Sequence, residues 1–77
     1  MSDSVDVHLE DGGNVVVTFE DADVVDHVGD AVIDVLVHTS GGERDLERAV
    51  TATVEGLGLQ VRPHSSRRPT ILDIERG

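Results

Sequence analysis

The spacing of the apolar residues changes at Asp21, and this change constrains the fold more than any other feature of the chain. Before Asp21, apolar residues occupy every second position, which is typical of a strand with one buried face. From Asp21 to Leu57 they recur every three or four positions, which is typical of one face of a helix. The 77-residue chain must therefore combine strands with helices, and its length predicts a single domain over residues 1–77.

The residues before Asp21 predict a β-hairpin over residues 4–19. The segment 11–14, Asp-Gly-Gly-Asn, contains the Asp-Gly and Gly-Gly pairs that supply the positive φ angles of tight turns. The apolar positions that should form one buried face are Val5, Val7, Leu9, Val15, Val17 and Phe19.

The next segment predicts a helix with acidic residues opposite an apolar stripe, although the β-branched residues around Val35 locally favour a strand. The stripe consists of Val24, Val25, Val28, Ala31, Val32, Val35 and Leu36.

A second helix should begin at a capping box, with Ser40 as the N-cap and Glu43 returning to its amide. Gly56 and Gly58 should end it, because glycine tolerates the left-handed conformation after a helix. Its apolar stripe consists of Leu46, Ala49, Val50, Thr53, Val54 and Leu57.

Two further strands complete the predicted fold. Leu59 and Val61 open the third strand, residues 63–69 form a loop, and residues 70–75 form the fourth strand. The element order is ββααββ. We expect two hairpins to build a four-stranded antiparallel sheet, covered on one face by the helical hairpin, in a two-layer α+β domain.

Charge is divided unequally along the chain. Sixteen acids face six basic residues, all Arg, and the first 42 residues carry ten acids and no basic residue, for a formal net charge of −10. The acids are interleaved with a regular apolar pattern, so we interpret the chain as folded rather than as a disordered acidic tail. Such a surface predicts a protein adapted to molar salt, in the cytosol of a halophilic archaeon.

Several classes of function are disfavoured by composition. Without Cys, the chain cannot form disulfides, thiolate nucleophiles or Cys-based zinc sites. No signal peptide and no apolar run of about 20 residues is present, so we expect a cytoplasmic protein without a membrane partner. The Ser and His residues do not have the spacing of a catalytic triad, so we expect no enzyme and no cofactor.

Two acidic clusters with histidine could suggest a metal site, and one glycine-rich turn could suggest an anion site. Neither cluster has the two-His spacing of a zinc motif, so we expect solvated surfaces and no metal. The turn lacks the Lys of a phosphate-binding loop, so we expect only a helix cap there. The segments concerned are Asp6, His8 and Glu10; Asp23, His27 and Asp30; and residues 38–42.

The only basic cluster lies in residues 62–69, and it supplies the predicted partner-binding residues Arg62, His64, Arg67 and Arg68. Guanidinium groups bind carboxylates bidentately, which favours an acidic protein partner, either another protein or a second copy in a homodimer. Alternatively, these Arg residues bind nucleic acid or only neutralise the chain's own acids.

Salt decides against nucleic acid as the first choice. Four phosphate contacts to a single strand give a log–log slope of roughly −2.8, so molar salt would lower the affinity about a thousandfold. No aromatic residue lies near this segment to stack on a base. The sequence therefore predicts a small protein-binding or regulatory module, with a nucleic-acid-binding accessory protein as the alternative.

We expect the thermal unfolding midpoint to rise steeply when KCl is raised from dilute buffer to the molar range. At low ionic strength the acids of the first half repel one another, and salt screens this repulsion. Circular dichroism melting curves at increasing KCl measure the effect. A midpoint that does not change with salt would contradict the halophilic interpretation.

Overall fold

A computed structural model of the protein describes residues 3–9, 13–64 and 70–76. It confirms the α+β class with four strands and two helices. The elements in chain order are β1 (Asp3–His8), β2 (Asn14–Phe19), α1 (Ala22–His38), α2 (Glu43–Gly56), β3 (Leu59–His64) and β4 (Thr70–Arg76).

The sheet is mixed, so the prediction of a purely antiparallel sheet was wrong. The strands lie in the order β1-β2-β4-β3. β1 pairs antiparallel with β2, and β3 pairs antiparallel with β4, as the two hairpins require. The two central strands, β2 and β4, run parallel, with Val17 opposite Leu72 and Phe19 opposite Ile74.

Pro63 explains why β4, rather than β3, lies beside β2. A proline has no amide hydrogen to donate, so within a sheet it is confined to edge strands, strand ends and bulges. β3 contains Pro63 and therefore lies at the edge, whereas Leu72 and Ile74 of β4 are fully buried at the centre. The chain reverses direction once more between β3 and β4, and this reversal makes β4 parallel to β2.

The core lies between one face of the sheet and the two helices. Seven of its eleven buried apolar residues are Val, and each buries less apolar area than Leu or Phe would, so the core of this small domain is modest. The stripes predicted for the first hairpin and the two helices supply nine of them, and the predicted fourth strand supplies the other two, whereas Leu57, also predicted to lie on a helical stripe, is 40% exposed. The buried residues are Val15, Val17, Phe19, Val24, Val28, Val32, Leu46, Val50, Val54, Leu72 and Ile74.

Helix α1 is capped by Asp21, whose side chain accepts a hydrogen bond from the Val24 amide at 3.0 Å. The helix continues through Val35 to His38. The local preference of β-branched residues for a strand is therefore overridden by packing of the apolar stripe on the sheet.

The start of α2 contradicts the predicted capping box. Gly42, not Ser40, is the N-cap, it makes no side-chain cap hydrogen bond, and Glu43 is the first helical residue. A capping box needs the Glu three positions after the cap, but the helix starts too late for that spacing. The Glu43 carboxylate instead accepts a hydrogen bond from the Thr70 hydroxyl at 2.5 Å, which ties α2 to β4.

Glycines allow the chain to turn at both ends of α2. Gly41 has φ 143°, and a Cβ there would also collide with the Asp45 carboxylate. Gly58 has φ 89°, and its amide donates to the Glu55 carbonyl at 3.1 Å, as expected for a residue that ends a helix.

Val28→Asp should largely unfold the domain. Val28 is fully buried, and an unpaired charge in its place should cost about 3–5 kcal/mol. Asp30→Asn, on the exposed side of the same helix, is the control and should be almost neutral. Chemical denaturation in molar KCl measures both, and similar losses of stability would show that the assigned helix faces are wrong.

The two helix starts should respond differently to loss of a polar side chain. Asp21→Ala should cost about 1 kcal/mol of unfolding free energy, because the Val24 amide loses its acceptor. Asp21→Asn keeps a capping oxygen and should lose less. Ser40→Ala should be nearly neutral, since Ser40 is exposed and is not the cap. If denaturation shows that Ser40→Ala lowers the unfolding free energy by about 1 kcal/mol, Ser40 caps α2 as the sequence predicted.

Candidate partner-binding face

One face of the sheet is turned away from the helices, and we call it the open face. Along β2 and β4, buried residues alternate with half-buried ones. Successive side chains of a strand point to opposite faces, so the half-buried set lies on the open face. With the matching positions of the edge strands, the described members are Ser4, Asp6, His8, Asn14, Val16, Thr18, Gln60, Arg62, Ile71, Asp73 and Glu75.

The centre of the open face is apolar. Val16 of β2 and Ile71 of β4 stand opposite each other on the two central strands, and each is only half-buried. On the edge strands the same row continues with Asp6 opposite Val16. An apolar centre with a polar surround is the composition expected of a protein–protein interface.

Arg62 belongs to a polar network on this face. Its guanidinium lies 2.9 Å from the Glu75 carboxylate, which also accepts a hydrogen bond from Gln60 at 3.1 Å. The Arg62 side chain is 63% exposed, whereas Glu75 is 22% exposed. Arg62 therefore neutralises one of the chain's own acids and still presents part of its side chain to solvent. Exposed ion pairs of this kind add little to the free energy of unfolding.

Beside this pair, the Thr18 hydroxyl donates a hydrogen bond to the Asp73 carboxylate. Thr18 and Asp73 are opposite each other in the parallel pairing of β2 and β4, and Asp73 is opposite Arg62 in the pairing of β4 and β3. Polar side-chain contacts therefore connect β2 to β4 and β4 to β3 on the open face.

The predicted partner-binding residues fall in different parts of the structure. Arg62 lies on the open face of β3, and the backbone of His64 ends β3 opposite Ile71, so β3 includes the first two residues of the predicted loop. Arg67 and Arg68 lie outside the described residues. The segment that contains them connects β3 to β4, whose first residues lie beside Val15 and Val16 of β2.

Arg76 forms an ion cluster that the sequence analysis missed. Its guanidinium lies 3.0 Å from Asp21, 3.4 Å from Asp23 and 3.9 Å from Glu20. These acids are more than fifty residues away in the chain, and only the parallel pairing of β2 and β4 brings Arg76 to the start of α1. No local pattern in the sequence signals this cluster, which neutralises acids within the chain.

Three histidines, His8, His27 and His38, have polar contacts in the described structure. His8 lies 3.7 Å from Asp6, and His38 lies 3.1 Å from Asp34. His27 Nε2 lies 3.0 Å from the Leu57 carbonyl oxygen, which links α1 to the end of α2. Within residues 3–9, 13–64 and 70–76, no group of three His, Asp or Glu side chains is placed to hold a metal ion.

A shallow groove on α2 offers a second polar surface. It is lined by Arg44, Glu47, Arg48, Thr51, Ala52 and Glu55. Its acids and Arg residues balance, and it lacks the apolar centre of the open face. We therefore treat the open face as the candidate site and the α2 groove as a reference surface.

In the part of the chain that the structure describes, no helix is long and apolar enough to cross a membrane. Comparison with protein-family models, with curated proteins and with solved structures finds no match to this chain.

Proposed function

We propose that this protein is a protein-binding module of a salt-adapted, halophilic archaeal cytosol, and that it binds its partner through the open face and the adjoining segment with Arg62, His64, Arg67 and Arg68. The observation that supports this most directly is the pair of half-buried apolar residues, Val16 and Ile71, at the centre of a sheet face that no helix covers. The partner would present an apolar patch bordered by carboxylates.

The balance of forces in molar salt supports an interface of this composition. At about 1 M salt the Debye length is roughly 3 Å, so long-range attraction between charged surfaces is largely lost. Burial of apolar residues such as Ile71 does not depend on long-range charge. Arg residues at the edge of the contact would add direct, bidentate hydrogen bonds to carboxylates, which act at short range.

Nucleic acid is the alternative, and it uses the same Arg residues. Against it stands the location of Phe19, the chain's only aromatic residue, which is buried in the core and cannot stack on a base. Binding through phosphates alone would weaken strongly with salt. We therefore place the nucleic-acid function second.

Two variants of the candidate surface and one of the reference surface test the proposal. Protein partners are recovered from the native host by crosslinking in molar KCl. Each purified partner is then titrated with the native protein or a variant, and calorimetry measures the dissociation constant. Ile71→Ser should weaken binding about tenfold or more, as substitutions near an interface centre do. Separately, Arg67→Gln/Arg68→Gln should weaken binding by removing the bidentate hydrogen bonds to carboxylates at the edge of the contact. Arg44→Gln/Arg48→Gln removes the same charge from the α2 groove and should leave the affinity unchanged.

The other outcomes separate the alternatives. If RNA is recovered through these Arg residues and no protein is, the nucleic-acid function replaces the one proposed. If Arg67→Gln/Arg68→Gln lowers the unfolding midpoint and no partner depends on these residues, they serve only as internal counter-charges.

A further inference from the structure

Strand β1 is an edge strand whose outward backbone groups can be assigned. The Leu9 amide donates to the Gly13 carbonyl at 2.8 Å, and this pair is in register with Val7 opposite Val15. In an antiparallel ladder, hydrogen-bonded and non-hydrogen-bonded pairs alternate. Val5, Val7 and Leu9 therefore bond to β2, while the amide and carbonyl groups of Ser4, Asp6 and His8 point outward.

The two edges of the sheet differ in how they resist pairing. β3, at one edge, contains Pro63, which cannot donate a hydrogen bond, and the exposed Arg62. Proline and charged side chains are common devices that prevent edge-to-edge pairing. β1, at the other edge, contains no proline, and its acids alternate with apolar residues. Every residue of β1 keeps its amide donor, so the β1 edge is better suited than the β3 edge to another strand.

Apolar side chains are exposed beside this edge. Ile33 and Val37 of α1 are 47% and 72% exposed. Val37 lines a cleft of about 530 Å³ in which Val7, Leu9 and Leu36 lie beside the polar residues His8, Thr39 and Ser40. Ile33 lies one helical turn before Val37, on the same side of α1. A strand added to β1 would lie beneath these side chains, and a helix carried with that strand would cover them.

We infer that the occupant of this edge is a second copy of the chain, with β1 pairing antiparallel to β1 about a two-fold axis to form an eight-stranded sheet. The pairing uses the outer edge of β1, whose Asp6 and His8 also lie at the border of the open face, but the inference does not rest on the proposed function. Such a pairing places both pairs of helices on the same side of the sheet, with the two α1 helices adjacent. Ile33 and Val37 of each copy then face the axis.

Pairing of a carboxylate with an imidazole selects the second copy and the register. With Val7 on the axis, Asp6 lies opposite His8 of the second copy, and His8 lies opposite Asp6 of the second copy. An imidazole N–H can donate a hydrogen bond to the carboxylate opposite it, and complementary side chains directly opposite each other stabilise a strand pair. On the helix side, Val7 meets Val7, and Val5 meets Leu9. Asp6 and His8 are both largely exposed and only 3.7 Å apart within one copy, so they are available for this exchange.

The neighbouring registers are less favourable. With Asp6 on the axis, two like charges stand directly opposite each other, which destabilises a strand pair. With Val5 on the axis, Leu9 extends beyond the partner's β1 and loses its apolar contact. Each copy has a formal charge of −10, so the dimer requires salt to screen repulsion between the copies.

A charge exchange on β1 tests the inference. Sedimentation velocity in molar KCl should show a dimer for the native protein and a monomer in dilute buffer. His8→Asp places acid opposite acid and should raise the dimer dissociation constant about tenfold or more. Asp6→His/His8→Asp restores two acid–histidine pairs and should restore the dimer. Val37→Glu, at a largely exposed position, should also weaken it.

Two controls make each outcome decisive. Ala52→Glu adds the same charge on the exposed side of α2 and should leave the dimer intact. Arg67→Gln/Arg68→Gln should also leave it intact, which separates this result from failure of the proposed function. A monomer in molar KCl, or dissociation by Arg67→Gln/Arg68→Gln, would overturn the inference. Failure of the exchanged pair to restore the dimer, with a native circular dichroism spectrum, would overturn the register.

Discussion

The parallel pairing of β2 with β4 is the contact on which the rest of the structure depends. It joins two hairpins that are far apart in the chain into one sheet, with Val17 beside Leu72 in the core. The same pairing sets Val16 beside Ile71 on the open face and brings Arg76 to the acids at the start of α1. Because β2 and β4 occupy the centre, β1 and β3 are the two edges of the sheet. The β3 edge contains Pro63, whereas every residue of β1 has an amide donor.

The composition of the core is one reason to predict that salt stabilises this fold. Most of its buried residues are Val, and the single aromatic residue of the chain, Phe19, is already used within it. A small domain with such a core has little stability to offset repulsion among its acids. Part of that repulsion is relieved within the chain by Arg62 with Glu75 and by Arg76 with Asp21. Among the described residues, Asp26 and Asp30 of α1 have no ion-pair partner, and no Arg precedes Arg44 in the chain.

The described helices cover neither the open face nor the β1 edge, so each of these two surfaces is accessible to a binding partner. The open face presents apolar residues at its centre and Arg62 toward one side, which suits a partner with carboxylates around an apolar patch. The β1 edge presents unpaired backbone groups and alternating Asp6 and His8, which suits its own copy. A dimer through β1 would leave β3 and Arg62 at the far edges of the joined sheet.

Local patterns in the sequence determined the type of each element, because periods of two and of three to four residues select strands and helices directly. They also determined which residues form the core, from Val15 to Ile74. Tertiary structure alone decided that β4 pairs with β2, that Glu43 bonds Thr70 instead of closing a capping box, and that Arg76 meets Asp21. Each of these depends on residues that are distant in the chain and become neighbours only when the sheet forms. Pro63 was the one local signal for the strand order, since a residue without an amide donor belongs at an edge.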